Sequence, residues 1–336
     1  MALRHLLSFI FCIIFLNASE VLLIGDILVD HIIFVDDDYL KTIPGKKGGC
    51  QTIEESLLEK IILEKGASAL MAPGGNGVNV MKGLAHLGHQ CHVVGKIGMD
   101  STGDFFAAAM AEKGIKSSLT RLPCRTGHCI SLVTPDRDRT LRTFLGASAQ
   151  SADLGITSKT YEEVRLFHLE GYQLYNEANA KKMVSEAKKA GAKVSMDLAC
   201  FEVVQAHREL ILELLNEVDI LLCNKDEAAT LTGLGTKEAC ELLAKSCKIA
   251  IITMGKDGCY AQEGNELVYQ PAIEVSVLDT TGAGDYFASG VLHGYLEGRS
   301  LKDSIRYGAI IASHVICVEG AEIPEDRWEI IQREVQ

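Results

Sequence analysis

The segment most suggestive of chemistry is residues 279–285, which read Asp-Thr-Thr-Gly-Ala-Gly-Asp and precede an apolar stretch over 286–295. Glycines between a strand and a helix let backbone N–H groups point at one spot, and with the helix dipole behind them these groups bind an anion. Asp285, in the first helical turn, would lie beside that anion, where it can accept a proton from a hydroxyl that attacks a phosphoryl group. The alternative is a glycine-rich turn in which Asp285 only complements the helix dipole.

A second glycine-rich segment, residues 73–79, reads Pro-Gly-Gly-Asn-Gly-Val-Asn and leads into a predicted helix over 80–87. Its glycines permit close backbone approach, and the Asn79 amide offers both a donor and an acceptor to a hydroxylated ligand. Clusters of glycine and asparagine are mostly ordinary turns, so this segment alone predicts a turn. Together with 279–285, it indicates a ligand site.

The elements that must position these segments alternate strictly in the second half of the chain. Short β-rich runs separated by helices predict a parallel sheet covered on both faces. The predicted strands are 166–169, 194–197, 220–223 and 249–253, and the predicted helices are 177–189, 207–216 and 237–245.

The first half predicts a β appendage in addition to the parallel sheet. Residues 20–30, broken by Gly25, are predicted as the first buried strand, which 31–35 continues before a polar turn at 36–38. Residues 129–145 have the alternation and central turn of a hairpin. Alternation places Arg137 and Arg139 on one face of this hairpin and Arg142 on the other. Further helices are predicted over 52–64, 79–87 and 105–113.

Composition excludes several classes of protein. The formal net charge is −12, which argues against a broad nucleic-acid-binding surface. Hydrophobic residues make up 47% of the chain, which argues against intrinsic disorder. The eleven cysteines form no Cys-x-x-Cys pair and the ten histidines form no His-Glu-x-x-His motif, so we expect no structural zinc.

The first nineteen residues carry information about the cellular compartment of the protein. Arg4 and His5 precede an apolar run over 6–16 that resembles a signal peptide, but Leu16 and Ala18 make a poor cleavage site. The run is too short to span a bilayer as a helix. The alternatives are an early start site or a hydrophobic N-terminal extension over 1–19. The thiol-rich remainder favours the cytoplasm, without stable membrane insertion.

The two glycine-rich segments, in this order, resemble the paired signatures of the ribokinase-like (PfkB) carbohydrate and nucleoside kinases. The resemblance extends from about Val21 to Pro324. Three shorter matches accompany it: Asn-Lys-Asp-Glu at 224–227 resembles the family's NxxE motif, 253–258 its TxGxxG turn and 320–321 its late Gly-Ala pair. No Gly-x-Gly-x-x-Gly follows the first predicted strand, which argues against a dinucleotide-dependent oxidoreductase.

The resemblance implies a ribokinase-like α/β fold, with a central, mostly parallel sheet, helices on both faces and a small β lid. Residues 20–336 would form one kinase domain, and its lid would be built from about 29–52 and 124–146. The lid would close over the acceptor, exclude water and limit wasteful ATP hydrolysis. The expected assembly is a monomer or a homodimer.

The resemblance also implies a role for each matching residue. The catalytic set is Asp285 as general base, with the amides of Gly282, Ala283 and Gly284 as an anion hole. The acceptor would be bound by Asp30, Gly74, Gly75 and Asn79. The ATP site would comprise Asn224, Thr253, Gly255, Gly258 and Gly320. Asn224 and Glu227 would hold Mg²⁺ through water, and Asp279 and Thr281 match positions that contact K⁺ in several members.

The expected function is ATP-dependent transfer of the γ-phosphoryl group to a primary hydroxyl of a nucleoside, adenosine-like, or of a sugar. Segments 134–136, 139–147 and 169–172 resemble the adenosine-kinase-like branch, whereas 76–77 and 197–201 depart from it. A nucleoside base needs an apolar or aromatic slot, which Leu132, Phe144 or Tyr172 would supply unless they are ordinary lid core. The alternatives are a fructokinase-type or ribokinase-type sugar kinase and a non-catalytic nucleoside- or sugar-binding relative.

Overall fold

A computed structural model describes residues 20–150 and 154–336, so the predicted N-terminal extension over 1–19 lies outside the described residues. Across these two ranges, no helix combines the length and the apolar character needed to cross a membrane.

The described chain alternates between strands and helices along most of its length. The strands are β1 (Val21–Ile24), β2 (Leu28–Phe34), β3 (Cys50–Thr52), β4 (Leu70–Gly74), β5 (Cys91–Gly98), β6 (Lys116–Leu122), β7 (Gly127–Val133), β8 (Arg139–Phe144), β9 (Leu166–Glu170), β10 (Lys193–Asp197), β11 (Ile220–Asn224), β12 (Ile249–Thr253), β13 (Cys259–Glu263) and β14 (Glu266–Gln270). The α-helices are α1 (Asp37–Lys41), α2 (Glu55–Lys65), α3 (Asn76–His86), α4 (Ser101–Glu112), α5 (Glu177–Lys189), α6 (Phe201–Ala206), α7 (Arg208–Leu214), α8 (Lys225–Thr232), α9 (Thr236–Leu243), α10 (Ala283–Leu296), α11 (Leu301–Val315) and α12 (Glu325–Glu334).

The large sheet has nine strands in the order β14-β13-β12-β11-β10-β9-β1-β5-β6. From β12 to β6 every neighbouring pair is parallel, and β13 and β14 extend the sheet as antiparallel strands. Alternate residues of β1 enter separate cores: Leu22 and Ile24 belong to one, and Val21 and Leu23 to the other. Helices therefore bury apolar side chains on both faces, as the alternating pattern predicts.

The small sheet has five strands in the order β3-β8-β7-β2-β4. Its outer face packs against α1 and α2 in a separate core that includes Ile33, Leu58 and Ile130. Strands β7 and β8 are antiparallel, which confirms the predicted hairpin. Strand β4 also belongs to this sheet but lies outside the segments predicted for the lid.

One sequence expectation about the first strand is wrong. Residues 20–30 and 31–35 do not form a single continued strand, because β1 belongs to the large sheet and β2 to the small one. The chain changes sheets at 25–27, where a Cβ atom at Gly25 would lie 2.5 Å from Glu170 Oε1. Asp36, predicted in a polar turn, caps α1 by accepting a hydrogen bond of 2.6 Å from the Tyr39 N–H.

Candidate active site

The turn at 279–285 has the geometry of an anion-binding loop. Gly282 adopts a left-handed conformation, with φ +73°, and forms the N-cap of α10. A Cβ there would lie 2.9 Å from Ala321 Cβ, whereas a Cβ at Gly284 would have no atom of the described residues within 4 Å. The Ala283 N–H donates to the Thr280 carbonyl at 3.2 Å. The helix N-terminus at Gly284 is therefore open to a ligand.

Asp285 lies in the first turn of α10 and accepts a hydrogen bond of 2.8 Å from Asn79 Nδ2 to its Oδ2 atom. Burial raises the pKa of Asp285 to about 7. The charges of Asp197 and Asp30 raise this pKa too, whereas the bond from Asn79 and the charge of Lys82 lower it. A carboxyl group with a pKa near the operating pH is suited to general base catalysis.

Asp30 lies in the middle of β2. Burial raises the pKa of Asp30 to about 6, and the charges of Lys82 and Arg139 oppose that shift. Ala72 pairs with Asp30 across the β2–β4 ladder, two residues before Gly74. A Cβ at Gly74 would lie 2.2 Å from Asp30 Cγ, so the absence of a side chain at 74 makes room for this carboxylate.

The start of α3 carries Asn79 into the site. Gly75, with φ +104°, is the N-cap of α3, and a Cβ there would lie 2.9 Å from the Asp26 carbonyl oxygen. Glu170 fixes both neighbouring loops, because its carboxylate accepts from Asp26 N at 2.5 Å and from Gly77 N at 3.1 Å. The buried Asn79 Oδ1 has no hydrogen-bond partner within the described part of the chain, so it is an acceptor available to a ligand hydroxyl.

Lys82 supplies a buried positive charge that sequence reasoning missed. Its Nζ donates to the Pro73 carbonyl at 2.8 Å, to Glu322 Oε1 at 2.5 Å and to the Ala321 carbonyl at 3.3 Å. These bonds tie the end of β4 to the segment before α12. A lysine within the apolar face of the predicted 80–87 helix is a signal that could have identified it, because an unpaired ammonium is rarely buried.

Arg139 joins the small sheet to the turn of α10. Its guanidinium donates to the carboxylate of Asp279 and to Thr281 Oγ1. Asp279 also accepts from Gly320 N at 2.5 Å and from Thr281 N at 2.9 Å. The Arg142 guanidinium points away and bonds to carbonyls that include that of Pro44. The predicted alternation of these two arginines is therefore confirmed.

The contacts of Arg139 affect the predicted binding of K⁺ by Asp279 and Thr281. Asp279 and Thr281 both contact the Arg139 guanidinium, so a positive charge already stands where they would bind a monovalent cation. In this conformation the two residues do not offer K⁺ a free site. The potassium role stays a prediction for a state in which Arg139 has moved away.

The residues predicted to hold Mg²⁺ lie at the N-terminus of α8. Asn224 and Glu227 form a reciprocal capping box, with Asn224 N donating to Glu227 Oε2 at 2.8 Å. Burial, followed by the charge of Asp197, raises the pKa of Glu227 to about 8, and burial raises that of Asp197 to about 6. Two neighbouring buried carboxyl groups favour a divalent cation, so the group fits Mg²⁺. Sequence reasoning did not assign Asp197 to the site.

The other residues predicted to form the ATP site differ in how closely the neighbouring atoms approach them. Thr253 ends β12 and pairs with Asn224 across the ladder, so these two predicted residues are neighbours. Gly255 has φ +60° and open space around it. A Cβ at Gly258 would lie 2.1 Å from the Gln270 carbonyl oxygen, so this glycine is required for packing. Gly320 lies beside Asp279, through the hydrogen bond described above.

Two of the three residues suggested as a slot for a nucleoside base face away from the site. Leu132 is buried in the outer core of the small sheet, and Phe144 packs against that core. Both are ordinary lid core, because they lie on the face covered by α1 and α2. Tyr172 follows β9 and interacts with Cys200 and Glu170, close to the loops that frame the site.

A family model for "pfkB family carbohydrate kinase" matches residues 50–328. A probable sugar kinase from Rhizobium etli is 30% identical, with a TM-score of 0.85 over 94% of this chain and 99% of that one. An adenosine kinase from Sinorhizobium meliloti is 30% identical, with a TM-score of 0.86 over 95% of this chain and 100% of that one. A 1-phosphofructokinase from Rhodobacter capsulatus is 29% identical over 273 residues, covering 77% of this chain and 84% of that protein.

Proposed function

The chain belongs to the PfkB family of carbohydrate kinases, a family of ATP-dependent phosphotransferases with alcohol acceptors, and we propose that Asp285 is its general base and an adenosine-like nucleoside its acceptor. The observation that carries this proposal is the meeting of Asp285, Asn79 and Asp30 at the open N-terminus of α10. Asp285 would accept the proton of the acceptor's primary hydroxyl as that oxygen attacks the γ-phosphoryl group. The amides of Gly282 and Gly284 would stabilise the charge of the transferring group, and the amide of Ala283 would join them on release of its bond to the Thr280 carbonyl.

The acceptor would be oriented by groups on both sides of Asp285. The Asp30 carboxylate can accept hydrogen bonds from ligand hydroxyls, and Asn79 Oδ1 can accept another. Gly74 and Gly75 would contribute by letting backbone approach the ligand closely. Asn79 would also hold Asp285 in place through its bond of 2.8 Å.

The small sheet would act as a lid. Asp30 and Arg139 project from it toward the body, and the bond from Arg139 to Asp279 would hold the sheet against the anion-binding turn. Such closure excludes water, so that the acceptor hydroxyl rather than solvent receives the phosphoryl group. The lid would comprise β2, β3, β4, β7 and β8 of the single domain over 20–336.

Asn224 and Glu227, together with Asp197, would hold Mg²⁺ through water, and Thr253, Gly255, Gly258 and Gly320 would shape the ATP site. When bound with ATP, Mg²⁺ neutralises charge on the phosphate oxygens. The carboxylates of Asp197 and Glu227 would need to be ionised for this, which the cation itself favours. No step is assigned to potassium, because Arg139 contacts both of its predicted ligands.

The preference for a nucleoside is supported by Tyr172 and by the adenosine kinase comparison. Burial and the charges of Cys200 and of Cys50 on β3 raise the pKa of Tyr172, so its hydroxyl lies where the small sheet meets the large one, and its ring packs against the core that includes Leu22. An aromatic ring at this boundary can stack on a base. A sugar acceptor is the second candidate, which the matches to a probable sugar kinase and to a 1-phosphofructokinase favour.

The experiment that separates the two acceptors compares Tyr172→Ala with Tyr172→Phe. Loss of a stacking ring costs about 1–3 kcal/mol per base, roughly fivefold to 150-fold in KM. If the acceptor is a nucleoside, Tyr172→Ala should raise the KM for adenosine by that factor, while Tyr172→Phe stays near wild type. Turnover of fructose or ribose alone, with equal KM in both variants, would instead establish a sugar kinase. Ligand-induced thermal stabilisation without any turnover would favour a non-catalytic relative.

We also propose a cytoplasmic location, because the ten cysteines of the described residues are all unpaired, as in reducing compartments. Of the two expected assemblies, the monomer is supported by the outer face of the small sheet, which α1 and α2 already cover. Analytical ultracentrifugation of the full chain would distinguish the monomer from a homodimer.

A further inference from the structure

Two histidines and a glutamate converge at the end of α10 opposite to Asp285. The Nε2 atom of His89 lies 2.8 Å from the Nδ1 atom of His293, and one potential ligand atom from each of His89, His293 and Glu297 lies within 4.8 Å of the other two. His293 is in the last turn of α10 and Glu297 is its C-cap, so the two share one helix face. With a rise of 1.5 Å per residue, His293 is about 12 Å along the helix from Asp285. The cluster is therefore separate from the candidate active site.

The outer partner of His89 is a carboxylate. His89 Nδ1 lies 2.8 Å from a carboxylate oxygen of Glu20, whose other oxygen accepts from Arg165. A neutral His89 ring that donates from Nδ1 to this carboxylate carries its lone pair on Nε2, the nitrogen that faces His293.

A metal ion binds imidazole through such a lone pair, so an ion between the two rings would replace the hydrogen bond that joins them at 2.8 Å. The exposed Glu297 contributes a negative charge, and the C-terminal end of α10 contributes the negative end of the helix dipole. The cluster is therefore arranged to receive a divalent cation.

We propose that His89, His293 and Glu297 bind a first-row divalent metal ion of the zinc class, with Glu20 orienting the His89 ring. Zinc–nitrogen bonds of about 2.0–2.1 Å in a tetrahedral site place two nitrogens about 3.3 Å apart, so the rings need to separate by only about 0.5 Å. A carboxylate behind a ligating histidine is the usual outer-shell arrangement. The exposed side of Glu297 leaves a fourth position for water.

The site differs chemically from the Mg²⁺ site of the kinase. Imidazole nitrogens suit zinc, whereas Mg²⁺ prefers oxygen ligands. The proposal reverses the expectation of no structural zinc, which rested on closely spaced motifs. His89 and His293 are 204 residues apart in sequence, so no local motif reveals them. A bound ion would join the turn before β5 to the end of α10 and would stabilise the fold there.

The test is a titration of the chelator-treated full chain with Co²⁺ and then Zn²⁺, without Mg²⁺ or nucleotide. We expect one equivalent to bind, with the visible absorption bands of tetrahedral Co²⁺ and a rise in Tm with Zn²⁺. Glu297→Gln, at an exposed position, should weaken binding tenfold or more, and Glu329→Gln on α12 should not. Absence of binding, or equal affinity in both variants, would overturn the proposal.

A second pair of variants separates this cluster from a histidine pair in general. His31 Nε2 and His128 Nδ1 also lie 2.8 Å apart, but no carboxylate of the described residues joins them in a group of potential metal ligands. His89→Gln should therefore abolish the Co²⁺ bands, whereas His128→Gln should retain them. The reverse result would place the metal elsewhere. Because no substrate is present, the outcome is independent of the kinase assignment.

Discussion

The large sheet and the small sheet supply different kinds of group to the candidate active site. At the carboxyl ends of its parallel strands, the large sheet places helix N-termini and polar residues such as Asn224 and Asp197. The small sheet places single side chains, Asp30 and Arg139, on the face that meets the body. The groups of the large sheet are suited to binding phosphate and Mg²⁺. Those of the small sheet are suited to binding the acceptor and to closing the lid. Mutations in the two sheets should therefore have separable effects on kcat, KM and stability.

The largest effect is expected from Asp285, the proposed base at the N-terminus of α10. Asp285→Asn keeps the shape of the side chain but removes its ability to accept a proton, so kcat should fall by about 10²–10⁴. The KM for ATP should change little. Initial rates of ADP release measure both, and Asp104→Asn, at an exposed position on α4, is a matched control. A kcat for Asp285→Asn within threefold of wild type would contradict the role proposed for Asp285. The large sheet would then no longer be distinguished as the source of the catalytic groups.

Arg139 belongs to the small sheet but bonds to Asp279 in the turn before α10. It therefore tests whether the two sheets have separate roles. Arg139→Gln removes a charged hydrogen bond to the buried Asp279, which should lower the free energy of unfolding by about 1.5–3 kcal/mol. Urea denaturation measures this change. Arg137→Gln breaks only the exposed pair with Glu319 and should cost less than about 1 kcal/mol. Equal losses in the two variants would show that Arg139 does not hold the lid.

Asp30 tests the proposal that the small sheet binds the acceptor. Asp30→Asn removes a charged acceptor for ligand hydroxyls, so the KM for the acceptor should rise by about tenfold to a hundredfold. The KM for ATP should stay near that of wild type. Steady-state kinetics with one substrate varied at a time measures both constants, and Asp38→Asn on α1 is the control. A rise confined to the KM for ATP would reverse the roles given to the two sheets.

A change of pH tests the proposed base without altering any residue. The pKa of Asp285 is raised to about 7, so its carboxylate form is lost as the pH falls through that value. The kcat/KM should therefore fall about tenfold per pH unit below about pH 7, until protonation of Asp30 near pH 6 steepens the fall. A pH–rate profile of the wild type and of Asp30→Asn tests this, and only the steeper part should disappear in the variant. A flat profile from pH 5 to 8 would contradict a titrating base.

The two sheets also differ in how well their residues could be predicted from sequence. The turn proposed to bind an anion is contiguous, so residues 279–285 are enough to predict this turn together with Asp285. The parallel order of the large sheet follows from the alternation of apolar runs and helices. Asp30 could be assigned only through the family resemblance, because its place depends on the register of β2 against β4.

The residues that sequence reasoning missed act through contacts that are distant along the chain. Glu170 bonds to Asp26 and Gly77, and Lys82 bonds to Glu322, 240 residues later. Residues 20–35 read as one apolar run, and nothing local shows that the chain changes sheets at 25–27. Leu132 and Phe144 have the composition of a ligand slot, but the helices on the outer face of the small sheet bury them.

The most direct test of the account is the initial rate of ADP release by the wild-type protein with Mg-ATP and adenosine, 5′-deoxyadenosine or fructose. Adenosine should be turned over, and 5′-deoxyadenosine should not, because it lacks the primary hydroxyl whose proton Asp285 would accept. Fructose should be a poor acceptor, because it has no base to stack on Tyr172. Equal rates with adenosine and 5′-deoxyadenosine, or turnover of fructose alone, would contradict the proposed reaction.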